Sequence, residues 1–138
     1  MILVNRRYRF SASHRLHVDA LDEAANDEIF GKCNNPFGHG HNYELEVTVH
    51  GEIDPVTGRA VQLDRLDELV GRSVIDRYDH RYLNEELPEF AQTVPTTENL
   101  GKEIVRRLRA AWPSGFPHLE RISIFETPRN IFLIGPTE

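Results

Sequence analysis

The chain has 138 residues, the size of one domain, and 39% of them are hydrophobic, which is enough for a core. Its 22 acidic residues outnumber 16 lysines and arginines, and without a basic run this net charge of −6 argues against nucleic acid or a membrane surface as a partner. The single cysteine forms no internal disulfide, and the sequence has neither a signal-peptide pattern nor 18 consecutive apolar residues, so we expect one cytoplasmic domain over residues 1–138.

Two stretches alternate strictly between apolar and polar residues. They cover residues 2–11 and 43–50, and this period predicts two half-buried antiparallel strands. The segment between them, residues 17–38, has no sustained period, although residues 22–30 are compatible with a short helix. Because long loops in compact domains usually serve function, we expect this excursion to contribute to a site.

The next part of the chain predicts a turn, a strand and a helix. A turn at residues 54–58 leads into the apolar stretch 60–63, which we interpret as a third strand in a hairpin with the second. Asp64 is then expected to cap a helix that ends near Tyr78, with Gly71 as its weakest point.

The C-terminal part predicts a second helix and two closing strands. The helix follows residues 95–99 and stops at Pro113, and the strands cover residues 119–125 and 130–134. This order predicts an α+β fold, β-β-α-α-β-β, in which a four-stranded antiparallel sheet has two helices on one face. Such a sheet has two open edges, so we expect an oligomer, the alternative being a monomer whose edges carry charges.

The most informative stretch runs from Cys33 to Tyr43. It contains His39 and His41, which point to the same face of an extended segment because side chains alternate along a strand. A zinc site typically has three protein ligands when a fourth position stays open for chemistry, and His14 is the candidate for the third. Asn, Asp or Glu residues could compete for that position, and a structural zinc is an open alternative. We expect the other histidines His17, His50 and His118 to be structural.

Three further positions carry acid–base chemistry. Cys33 is either a buried small hydrophobe or a thiolate, whose pKa Lys32 and a nearby metal would lower. Asp79 and His80 form a pair that could orient a tautomer and transfer protons, although adjacent Asp-His pairs are frequent. Glu126 ends an apolar strand and is either a solvated rim residue or a buried anchor for N–H groups of a ligand.

Six motifs in register over nearly the whole chain resemble the 6-pyruvoyltetrahydropterin synthase family. The resemblance implies the tunnelling fold (T-fold), in which trimers close a twelve-stranded β-barrel and two trimers stack into a homohexamer with active sites at subunit interfaces. The motifs that carry it are Phe10 to Leu16, Cys33 to Tyr43, Gly51 to Gly58, Asp79-His80, Thr96 to Asn99 and Glu126-Thr127.

The implied reaction converts 7,8-dihydroneopterin triphosphate to 6-pyruvoyltetrahydropterin with loss of triphosphate. The resemblance implies that His14, His39 and His41 hold Zn²⁺, which polarises the side-chain oxygens. It further implies that Cys33 is the base and that His80, oriented by Asp79, handles the second proton. Glu126 would accept hydrogen bonds from the pterin. The residues expected to line the pocket are Thr96, Thr97 and Glu98, and the cations available for the triphosphate are Arg6, Arg9, Arg15 and Lys32.

Two alternatives share most of these features. The first is a 6-carboxytetrahydropterin synthase of the queuosine (deazapurine) pathway, whose cysteine lies closer to its His-Gly-His motif. The five residues between Cys33 and His39 favour the pyruvoyl enzyme. The second is a non-catalytic zinc- or pterin-binding module, which the retained Cys33 and His80 disfavour. At position 37 the family commonly has a polar residue, whereas this chain has Phe37. We expect this difference to affect the shape of the loop more than the chemistry.

Overall fold

The computed structural model describes residues 1–135, and five strands form one mixed sheet in them. The order across the sheet is β3-β1-β2-β4-β5, and every pairing is antiparallel except that of β1 with β3. The strands are β1 Ile2–His14, β2 His39–Gly51, β3 Arg81–Tyr82, β4 His118–Phe125 and β5 Ile131–Ile134.

The long β1–β2 ladder forms the centre of the sheet. It pairs all 13 residues of each strand, from Ile2 opposite Gly51 to His14 opposite His39. Both strands extend beyond the predicted ranges 2–11 and 43–50 because the ladder continues into the histidine motifs. The predicted alternation is confirmed, since Phe10 and Tyr43 face the core together and their rings stack with centroids 5.1 Å apart.

The strand predicted at residues 60–63 is wrong. The turn before it forms, with Asp54 N–H donating to the Arg59 carbonyl at 3.0 Å, but the chain then buries Val61 and enters a helix at Leu63. The fifth strand is instead the two-residue β3, which lies beside β1 at the other edge. The four residues 60–63 cannot both pair with a neighbouring strand and form the start of the helix at Leu63.

The first two helical segments agree with prediction in position. Helix α1 covers Glu23–Phe30 and is capped by Asp22, whose carboxylate accepts from Ala25 N–H at 2.7 Å. A 3₁₀ turn, Gly31–Asn34, follows it. Helix α2, Leu63–Val70, continues through a π-helical turn, Gly71–Ile75, into α3, Asp76–Tyr78.

The predicted cap of α2 is wrong. Asp64 lies in the first turn and not at the cap, where Gln62 makes no side-chain capping bond. The helix starts at the apolar Leu63, two residues earlier than a cap at Asp64 would place it, so tertiary packing and not capping sets its beginning. Gly71 does not end the helix, because a π-helical turn accommodates the extra residue there.

The C-terminal helix forms as predicted. After α4, Leu83–Glu86, and a 3₁₀ turn, Pro88–Phe90, the chain enters α5, Thr97–Ala111. Thr96 caps α5, since its hydroxyl accepts from Asn99 N–H at 3.2 Å.

The helices cover one face of the sheet, as the α+β prediction required, but the sheet is mixed and has five strands, whereas four antiparallel strands were predicted, because the short β3 adds in parallel beside β1. Leu66, Val70, Leu100 and Ile104 are fully buried against the inner faces of the central strands. Among residues 1–135, no helix combines the length and the apolar character that crossing a bilayer requires.

Candidate active site

Three histidine rings converge where β1 ends and β2 begins. His14 lies opposite His39 in the ladder, and His41 lies two residues further along the same face. The Nε2 atom of His39 is 3.0 Å from Nε2 of His14 and 2.9 Å from Nε2 of His41. The predicted ligand set is thus assembled by the ladder register itself.

The protonation states of this cluster suit a cation. His14 Nδ1 lies 2.8 Å from the Pro95 carbonyl oxygen, which accepts its proton and leaves the Nε2 lone pair facing the other rings. Burial lowers the pKa of His14 to about 4, so the ring is neutral at physiological pH. Burial also lowers the pKa of His39. Neutral imidazole is the form in which histidine binds metal.

The spacing of the nitrogens also suits a small cation. Zinc–nitrogen bonds of about 2.0–2.1 Å in a tetrahedral site place the ligand nitrogens about 3.4 Å apart. The Nε2 separations are within about 0.5 Å of that value. His14 Nε2 is an acceptor because Nδ1 holds the proton, and one central cation can take a lone pair from each of the three Nε2 atoms. The residues present therefore fit a zinc ion.

Glu126 lies beside the histidines. Its Oε1 is 3.6 Å from Nε2 of His41 and 4.0 Å from Nε2 of His14, and its side chain is 13% exposed. The hydroxyl of Thr97, which is buried in the first turn of α5, donates to the same oxygen at 2.8 Å. Of the two interpretations from sequence, this position favours the buried anchor over the solvated rim.

Cys33 shares a cavity of about 710 Å³ with His39 and His41. Leu16 N–H donates to its carbonyl at 2.7 Å, which ties the 3₁₀ turn to the end of β1. Burial raises the pKa of the thiol, and the negative charge of Glu126 adds to this. Lys32 was expected to lower the pKa of Cys33, but the protein groups of this chain raise it.

The Asp79-His80 pair faces a different concavity. Asp79 Oδ2 lies 3.1 Å from Nδ1 of His80, and Asp79 Oδ1 accepts from Ser11 N–H at 2.8 Å. His80 has a positive φ of 61° and is 82% exposed, in a groove of about 420 Å³ that also contains Ser13 and Asn42. The Asp79 carboxylate is thus within ion-pair distance of the imidazole, and His80 does not line the cavity of Cys33, although His41 borders both concavities.

Some of the other predicted residues line the cavity, and others lie in the surrounding structure. Thr96 serves as the cap of α5, and Glu98 is exposed in the first turn of that helix. Of the cations considered for the triphosphate, Arg15 and Lys32 line the Cys33 cavity. The other two lie elsewhere, in ion pairs: Arg6 with Asp67 at 2.8 Å and Arg9 with Glu44 at 3.5 Å.

Two residues of the site were missed from the sequence. Pro95 fixes the tautomer of His14 through its carbonyl, a contact across 81 residues that no local pattern encodes. Asn34 is buried and bonds Arg15 through both its backbone and side-chain oxygens, at 3.1 and 3.2 Å. The sequence did indicate Asn34 indirectly, because it directly follows Cys33 in a loop that was expected to be functional.

Comparisons with known proteins agree on one family. The family described as "6-pyruvoyl tetrahydropterin synthase" matches residues 3–136. The 6-pyruvoyl tetrahydrobiopterin synthases of Homo sapiens and Poecilia reticulata are each 45% identical over 128 residues, which are 93% of this chain and 87% and 86% of theirs. The solved structure of Caenorhabditis elegans 6-pyruvoyl tetrahydropterin synthase has a TM-score of 0.89 and 38% identity, and the match covers 99% of this chain and 96% of that one.

The chain therefore belongs to the 6-pyruvoyl tetrahydropterin synthase family, a family of enzymes. The resemblance inferred from six motifs is confirmed, and so is the T-fold of the subunit.

Proposed function

We propose that this protein is a 6-pyruvoyltetrahydropterin synthase, which converts 7,8-dihydroneopterin triphosphate to 6-pyruvoyltetrahydropterin and releases triphosphate. The observation that carries the proposal is the convergence of three histidine Nε2 atoms next to Glu126, with two of the rings lining the same cavity as Cys33. Relatives that bear this name at 45% identity support the pyruvoyl product over the carboxy product. The spacing between Cys33 and His39 supports it as well.

We propose Zn²⁺ as the cofactor, with His14, His39 and His41 as its ligands. When bound, the ion would polarise the side-chain oxygens of the substrate and stabilise negative charge that develops on them. His14 is the most constrained ligand, because it is fully buried and donates from Nδ1 to Pro95. This hydrogen bond holds the ring orientation before any cation binds.

Cys33 is proposed as the base that removes a proton from the side-chain carbon of the substrate. Its raised pKa means that the protein groups of one chain favour the neutral thiol. Positive charge near the sulfur must therefore lower that pKa in the assembled enzyme. A cation among the three histidines is one source of such charge, and the imidazole of a second subunit is another.

Glu126 is proposed to recognise the pterin by accepting hydrogen bonds from its 2-amino and ring N–H groups. Thr97 orients the carboxylate by donating to Oε1. A carboxylate held by a buried hydroxyl loses little freedom when a ligand binds, which is the benefit of a preorganised site. Thr96 and Glu98, in the same turn, are proposed as more peripheral contacts.

Arg15 and Lys32 are proposed to bind the triphosphate. Both line the cavity that contains Cys33, and Asn34 holds the guanidinium of Arg15 with two hydrogen bonds. A positioned guanidinium suits phosphate oxygens because its N–H groups form a planar fork.

We further propose that the active site is completed by a second chain in a homohexamer of two trimers. His80 is exposed and lines a neighbouring groove instead of the Cys33 cavity, although His41 borders both, and we propose that it acts on the substrate of another subunit. The test is subunit complementation: Cys33→Ala and His80→Ala proteins are each inactive, and dissociating and reassociating a mixture restores part of the turnover. A mixture that contains mixed hexamers by mass but stays inactive contradicts the shared site. The single cysteine supports a reducing, cytoplasmic environment for this assembly.

The reaction itself is tested by product identity. Purified protein loaded with zinc is incubated with 7,8-dihydroneopterin triphosphate, and the products are separated and identified by mass. We expect 6-pyruvoyltetrahydropterin and one equivalent of triphosphate. A carboxy product with acetaldehyde would instead assign the chain to the queuosine-type enzyme. Binding without triphosphate release would mean a non-catalytic module.

A further inference from the structure

A second histidine cluster lies at the opposite end of the sheet from the active site. His50, near the end of β2, is directly opposite His118, at the start of β4, and Glu120 lies two residues further. One ligand atom from each residue lies within 4.8 Å of the other two. His50 lies nine positions after His41 in β2, a distance of about 30 Å along the strand, so this cluster is independent of the first.

A β-bulge brings these three side chains to one face. Thr48 pairs with Arg121 and Val49 pairs with Leu119, so Glu120 is an extra residue in β4. Strict alternation would place Glu120 on the same face as Ile122, which is fully buried in the core. The bulge turns Glu120 away from the core and toward the outer face of the sheet.

The contacts within the cluster show that the side chains converge. Nδ1 of His50 and Oε2 of Glu120 are 2.7 Å apart, and the ring centroids of His50 and His118 are 4.7 Å apart. All three residues are half-buried or exposed, so a cation from solvent can reach them and water can fill its remaining positions.

We propose that His50, His118 and Glu120 form a second metal site, for a divalent first-row transition ion such as Zn²⁺. Two imidazoles and one carboxylate are typical ligands for such ions. A metal at this site would link β2 to β4 at the bulge. It takes no part in the reaction of the proposed function. It binds more weakly than the buried three-histidine site because its ligands are less buried and the exposed His118 must be ordered from solvent.

The first experiment counts metal ions. Protein stripped of metal is titrated with Zn²⁺ against a chromophoric chelator, and the wild-type chain takes up two equivalents, the second with micromolar affinity. The variants His118→Ala and Glu120→Gln each weaken the second equivalent by at least about tenfold and leave the first intact. Glu120→Gln keeps a hydrogen-bond acceptor for His50 and removes only the carboxylate ligand. His80→Asn is the matched control: it removes an exposed imidazole elsewhere, at a positive φ that asparagine tolerates, and leaves both equivalents unchanged.

The second experiment removes the stronger site. In a His39→Ala/His41→Ala background, Co²⁺ gives a visible d–d absorption spectrum that disappears when His118→Ala is added. A wild-type chain that stops at one equivalent overturns the proposal, and the cluster is then only a hydrogen-bonded pair beside a third side chain. A second equivalent that persists in both His118→Ala and Glu120→Gln overturns it as well.

Discussion

Replacing Thr97 with valine tests how Glu126 is held. Valine keeps the shape of the side chain but removes the hydroxyl that donates to Oε1 at 2.8 Å. Thr97 is 2% exposed and the Glu126 side chain 13%, so water replaces this donor poorly. A hydrogen bond to a charged group contributes about 1.5–3 kcal/mol. Taking about 2 kcal/mol, we expect kcat/KM to fall about 30-fold.

The assay is steady-state release of triphosphate from 7,8-dihydroneopterin triphosphate, with zinc content and circular dichroism measured on the same samples. Thr97→Ser is the matched control, because it keeps the hydroxyl and should stay within about threefold of wild type. The metal content of both variants should be unchanged, since Thr97 is not one of the proposed zinc ligands. A folded, zinc-loaded Thr97→Val protein with wild-type kcat/KM would refute the orienting role.

Three more predictions concern the base, the loop and acid stability. Cys33→Ala should retain zinc and lose turnover, as measured by metal analysis and triphosphate release; full activity would contradict the base assignment. Gly38→Ala should lower the free energy of unfolding by about 1–2 kcal/mol and weaken zinc binding, because Gly38 has φ +74° and a Cβ there would lie 3.2 Å from the His14 carbonyl oxygen. Gly58→Ala is the control, because Gly58 has φ +73° with open space around it. It introduces the same backbone strain without a steric clash, and it should leave zinc affinity unchanged. Glu89→Gln should cost about 2 kcal/mol in urea unfolding at pH 7.

The pH dependence of Glu89 has a definite sign. Burial alone would raise the pKa of Glu89, but hydrogen bonds from Arg77 at 2.6 Å and Tyr78 at 3.0 Å outweigh it and leave that pKa lowered. A carboxylate with a lowered folded pKa stabilises the protein above its unfolded pKa, about 4.3, and this stabilisation is lost as pH falls through the folded pKa. The difference between Glu89→Gln and wild type should therefore shrink below about pH 4.3. A difference that grows with acidity would show that the ion pair is not its origin.

Local periodicity was sufficient for most of the fold. The alternation around Phe10 and Tyr43 predicted the two central strands, because burial on one face imposes a period of two. It could not predict β3, whose two residues are defined only by lying beside β1. The bulge at Glu120 was equally invisible, since it shows only when the register of β4 against β2 is known.

The candidate site was likewise predictable from the sequence only in part. His39 and His41 were predictable from their spacing on one strand, and His14 from its place at the end of another. Their partners Pro95 and Glu126 come from distant segments, so only the folded chain places them beside the rings. His50 and His118 were interpreted as structural from sequence, because neither has the combination of a second histidine two residues away, an intervening glycine and a strand start that distinguishes His39 and His41.

The most direct test of the central claim is the recovery of turnover with metal. Chelator-treated protein, verified as metal-free, is titrated with Zn²⁺ while formation of the pyruvoyl product is measured. We expect activity at least about 100-fold lower without metal. We also expect a linear return up to one equivalent per chain, with no further gain as a second equivalent binds. Full turnover by verified metal-free protein would contradict the assignment of the three histidines as a catalytic metal centre.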